Sequence, residues 1–183
     1  MMRLLGTPIL ALAAALLATG CATPTPIDAS GAPEDFSIDA LVVIPDGAEP
    51  TPDTPRSRRP GRYQLSPDGS LRVALGSGVG TDTIPALARR LTREERGDLW
   101  RLTRAAGLID DDPPGRIAWG ETWDAPPIGA SAILSITHDG RRVHVGAPLE
   151  LSGGSPGVEA LIDRLAALAW EPSSAWASAP TGD

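Results

Sequence analysis

The side chains best suited to chemistry in this chain are few. Cys21 is its single cysteine, and His138 and His144 are its two histidines. An imidazole that catalyses or holds a metal needs converging partners. His138 falls in a tight turn and His144 alternates with Val143 and Val145, so both are expected to point away from an apolar core. Asp110, Asp111 and Asp112 are consecutive. Calcium takes about six oxygens from spaced ligands, so this run reads as a solvated acidic loop. Glu121 with Asp124 is the kind of pair that glycoside hydrolysis uses, although carboxylates this common carry little signal. No catalytic set, metal site or cofactor is expected.

Two further groups suit binding rather than catalysis. Arg56, Arg58, Arg59 and Arg62 cluster in an acidic protein, and guanidinium forks suit phosphate and carboxylate. They are candidates for anionic lipid headgroups or an acidic partner, unless they simply line a solvated loop. Trp119 and Trp123 flank Gly120-Glu121-Thr122. Exposed, they would make a sugar or peptide platform; turned inward, they would plug an irregular loop onto the core. The glycine-rich run at residues 76–80 lacks the helix that must open directly from a dinucleotide loop. Residues 152–155 precede a helix N-terminus, where free amides can hold an anion, but a cap and a turn explain them as well.

Composition excludes several classes. The formal charge is −7 with a pI near 4.8, which disfavours nucleic acid as a partner because that role leaves a basic footprint. All 16 basic residues are arginine, and the chain has neither lysine nor asparagine. A Schiff-base lysine, a phosphate-loop lysine and an Asn-linked glycan are therefore impossible.

The N-terminus accounts for the cysteine. Arg3 precedes an apolar run over residues 4–17, then small residues up to Cys21, the layout of a signal peptide. The run is shorter than the roughly 20 residues of a membrane span. Ala18-Thr19-Gly20-Cys21 resembles the lipobox of bacterial lipoproteins, with Ala18 where the family usually has leucine. The resemblance implies cleavage before Cys21 and acylation of its thiol and new amine, which makes membrane lipid the first partner. Several acyl chains anchor stably where one would be marginal. Ala22, in place of an aspartate, implies the outer membrane, facing the periplasm. The expected organisation is a cleaved signal peptide at 1–20 and a lipidated N-terminus with a Pro-rich tether at 21–34. A single domain at 35–170 follows, then a disordered tail at 171–183.

Within the domain, apolar residues alternate from Phe36 to Ile44, predicting a strand ended by Pro45. Ser66-Pro67-Asp68-Gly69 predicts a hairpin turn between 62–65 and 71–75. A helix starts at Thr92, with Glu95 completing a capping box and Gly107 at its left-handed end. A short strand is expected at 117–119. Asp139-Gly140 closes a second hairpin, and Pro156 opens a helix whose Val158, Leu161, Ile162, Leu165 and Leu168 form one face. The order strand, hairpin, helix, hairpin, helix predicts an α+β two-layer sandwich, a mostly antiparallel sheet carrying two packed helices.

The segments Arg62-Tyr63, Asp68-Gly69-Ser70-Leu71-Arg72, Arg90-Leu91-Thr92 and Leu99-Trp100 resemble planctomycete envelope proteins, a likeness that implies no activity. The function expected is a non-enzymatic binding or structural envelope lipoprotein whose partner is an envelope protein or a polysaccharide. The alternatives are a carboxylate-dependent hydrolase of cell-wall or polysaccharide substrates and a module that pairs through a sheet edge.

Overall fold

The computed structural model describes residues 31–45, 49–118, 121–123, 129–149 and 155–170. Its strands are β1 (Ser37–Val43), β2 (Gly61–Leu65), β3 (Ser70–Leu75), β4 (Ala86–Arg90), β5 (Ser131–His138) and β6 (Arg141–Pro148), with helices α1 (Arg93–Ala105) and α2 (Pro156–Trp170). All six strands join one antiparallel sheet in the order β4-β3-β2-β1-β5-β6. The expected α+β sandwich is the observed fold.

Period-two alternation decides which face the helices cover. Ile38, Ala40 and Val42 of β1 are buried, as are Tyr63 and Leu65 of β2, Leu134 and Ile136 of β5, and Val145 of β6. These pair across the strands as Ile38 with Leu65 and Ile136, and Leu134 with Val145, so they share one face. Val158, Leu161, Ile162, Leu165 and Leu168 of α2 and Leu99 and Trp100 of α1 close the same core. The Tyr63 phenol lies inside it and donates to the Arg56 carbonyl at 3.4 Å. Burial pushes its pKa up to about 12.

The predicted local signals act as local physics requires. Thr92 and Glu95 form the capping box of α1, and Gly107 ends it at φ +67°. There Leu108 N donates to Thr103 O and Gly107 N to Arg104 O, which satisfies carbonyls the helix leaves unpaired. Asp139 and Gly140 both take positive φ, the backbone of a two-residue hairpin turn matching the twist of its strands.

Three features depart from expectation. β4 is an added edge strand, in a segment with neither alternation nor β-branched residues. His138 faces the helices rather than solvent: it is 5 % exposed and its ring centroid lies 5.8 Å from that of Trp100. It shares a strand face with Ile136, and that parity overrides its place beside the turn. The packed module also begins before residue 35. Ala32 is buried, and Arg96 Nη2 donates to the carbonyls of Pro33 and Glu34. Residues 32–34, assigned to the tether on composition, are docked on α1.

Candidate functional site

Among the described residues, helices cover one face of the sheet. On the other, the off-core positions of successive strands meet in rows. Cross-strand pairs run His144–Ser135, Ser135–Asp39, Asp39–Gln64 and Gln64–Arg72. This is one polar row over five strands, about 19 Å long at the usual strand spacing. Beside it, Arg142 pairs with Thr137 and Thr137 with Ser37. A hollow of about 280 Å³ opens between the rows, lined by Ser37, Asp39, Gln64, Ser135, Thr137 and Arg142 with the Leu65–Pro67 turn.

Asp39 organises this hollow. Arg62 donates Nε to its Oδ1 at 2.9 Å and Nη2 to Oδ2 at 2.6 Å, and Gln64 Nε2 donates to Oδ2 at 3.0 Å. Arg62 Nη1 also donates to the carbonyls of Thr81 and Thr83, pinning the β3–β4 loop to this face. Burial alone would push the Asp39 carboxyl up. The bonds from Arg62 and Gln64 and the charges of Arg62 and Arg142 outweigh that and hold its pKa below 3.8. Asp39 is thus a fixed anion near neutral pH. It can accept hydrogen bonds but cannot serve as a general acid.

The sign of the linkage follows. A carboxyl whose folded pKa is lowered adds stability above its unfolded pKa and loses it as pH falls through the folded value. Asp39→Asn should therefore cost about 1–2 kcal/mol near neutral pH, discounted for the partial exposure of the pair. The gap to wild type should shrink as pH drops below about 4. Urea midpoints for both proteins across that range check this, and a gap independent of pH would refute it.

The four candidate arginines do not converge. Arg56 lies with its guanidinium carbon 4.7 Å from the Trp170 ring centroid. Arg58 donates to Glu159 of α2 at 2.9 Å, with Asp163 at 3.9 Å. Arg59 donates to the carbonyls of Thr54 and Pro52. Arg58 thus faces the helix layer while Arg62 crosses the open face. The sequence cluster is spread over both sides of the sheet and engaged in fastening it.

Trp123 packs on the open face. Its indole lies so close to Gly146 of β6 that a Cβ there would overlap the ring. It is half-buried, which fits a plug more than an exposed platform. Cys21, Trp119 and Asp124 lie outside the described residues, as do the segments expected to be a signal peptide (1–20) and a tail (171–183), most of the expected tether (21–34), and residues 152–154. Glu121 is exposed, and its Oε2 accepts from Ala118 N. Asp110, Asp111 and Asp112 are all exposed, with Asp111 accepting from Arg141. The glycines at 76–80 join two antiparallel strands rather than a strand and a helix. Among the described residues, no group of three or more His, Cys, Asp or Glu side chains gathers as a metal site.

Both sheet edges are blunted against strand addition. The bonds Gly146 N to Gly115 O and Ile117 N to His144 O lay residues 115–117 along β6, close to the short strand expected at 117–119. On the other side, β4 follows Pro85, carries Arg89 and Arg90, and is interrupted by a register shift between Leu71 and Arg72.

No protein-family model matches the chain, and no curated protein is significantly similar to it.

Proposed function

We propose that this chain is an exported lipoprotein, anchored through acylated Cys21 to the outer membrane and facing the periplasm, whose module binds an envelope component without transforming it. The observation supporting the binding role is the open sheet face: a hollow of ionised, hydroxyl and amide groups on a rigid scaffold. Hydrolysis by paired carboxylates is the weaker reading, because the carboxylate lining that hollow is locked as an anion by Arg62 while such a mechanism needs a proton donor. Pairing through a sheet edge is weaker too, since both edges are blunted.

The spacing of Cys21 from the module is what an anchor of this kind would use. Ten residues separate Cys21 from the docked Ala32, a reach of at most about 40 Å. Among the described residues, no helix is long and apolar enough to cross a membrane. The test is Cys21→Ala followed by membrane fractionation and labelling with radioactive palmitate. The wild type should pellet with membranes and carry label, and the variant should do neither. A variant that still pellets or still takes label would overturn the anchor.

A further inference from the structure

We propose that the hollow beside Asp39 is a subsite for an acidic saccharide, a sugar ring carrying a carboxylate; the inference rests on the binding role proposed above. The lining chemistry selects the ligand. Ser135, Thr137 and Gln64 can each both donate and accept, which matches the hydroxyls of a sugar, while Ile38, Leu65 and Pro67 add a smaller apolar part that a sugar ring's C–H face can meet. The Asp39 carboxylate adds fixed acceptor capacity beyond the bonds it receives from Arg62 and Gln64.

The charge pattern selects the acid. The whole chain is at −7, yet this face carries Arg62, Arg72 and Arg142 against Asp39, with Asp82 close enough to act on Arg62. Arg62 is spent on Asp39 and the loop carbonyls. Arg142 is exposed at the rim, steadied by its Nε donating to Thr137 Oγ1 at 3.3 Å. A guanidinium fork held at a polar rim suits a carboxylate, which it can grip with two parallel bonds. The local excess of positive charge in an acidic protein also disfavours a cationic ligand.

Size and direction agree with this. The hollow's 280 Å³ lies at the lower bound of about 300 Å³ for small-molecule sites, room for one ring rather than a large ligand. The polar row running to His144 on one side and Arg72 on the other lets neighbouring rings of a chain lie across the strands. The hollow is therefore the central subsite of a linear glycan track.

The test is calorimetric titration of the full lipidated protein in detergent with three probes of equal length: an oligogalacturonate, a neutral cello-oligosaccharide and a polyglutamate. The oligogalacturonate should bind best. Arg142→Ala should weaken it about tenfold or more, the cost of one charge-assisted contact. Ser135→Ala should weaken it less, and Arg101→Ala, on the exposed side of α1, should leave it unchanged. Circular dichroism of each variant confirms that it folds. Equal binding of the neutral oligomer, or indifference to Arg142→Ala, would overturn the proposal, and so would no binding by any probe. Tighter binding of polyglutamate would overturn the saccharide and leave the binding role standing. Release of reducing ends from either saccharide would instead overturn the non-enzymatic reading.

Discussion

Replacing Phe36 with alanine is expected to destabilise the module by about 3–5 kcal/mol. The ring is fully buried and meets the Trp100 indole edge-on at 5.0 Å between centroids. Such an aromatic pair adds about 0.5–1.5 kcal/mol beyond the area it buries. The cavity left behind has little means of collapsing, since Trp100 sits in a helix and Phe36 abuts a central strand. Small domains hold only about 5–15 kcal/mol in total, so the loss is a large share. Phe36 also closes the docked segment that begins at Ala32. The variant should show a lower urea midpoint and faster proteolysis between residues 31 and 36. A loss below about 1 kcal/mol would mean that Phe36 does not hold the docked segment to the core.

The second large effect is expected at Gly157. A Cβ built there would lie 2.5 Å from Ala106 Cβ and 2.7 Å from Ala106 Cα. Two terms oppose each other in Gly157→Ala. Alanine gains about 0.5–1 kcal/mol in a helix relative to glycine, while overpacking costs about 1–3 kcal/mol. The clash involves backbone, so the cost should win, and Gly157→Val should lose about 3 kcal/mol. Adding Ala106→Gly should recover only part of the loss in Gly157→Ala, because it removes the Cβ contact and leaves Ala106 Cα 2.7 Å from the new methyl. Thermal melts of the two single variants and the double variant decide it. A Gly157→Ala protein more stable than wild type would show that propensity outweighs the contact.

Elements whose cause is local were legible in the chain itself. The capping box at Thr92, the left-handed Gly107 and the Asp139-Gly140 turn each rest on neighbours a few residues away. The core faces of β1, β5 and α2 follow from period alone. β4 was not legible, because Ala-Leu-Ala-Arg-Arg carries no alternation and its strand state comes from pairing with β3. His138 misled for a related reason. Nearness to a turn suggested exposure, whereas its side follows from counting two residues on from Ile136.

The candidate site shows the same division. That Asp39, Gln64, Ser135 and Thr137 lie off the core could be read strand by strand, and the lipobox reading of Cys21 rests on contiguous residues. Nothing in the chain placed those polar positions in one row, since that requires the order β3-β2-β1-β5-β6. Nor could it show that both helices would settle on one face and leave the row uncovered. The four arginines look like a patch in sequence because they are near in number. Strand parity sends Arg62 to the open face, and the packing of residues 56–58 on α2 sends Arg58 to the other. Side-chain type and local spacing determine caps, turns and burial parity, because those interactions close within a few residues. Strand order and helix placement settle which distant side chains become neighbours, because those contacts form only when the apolar faces are buried together.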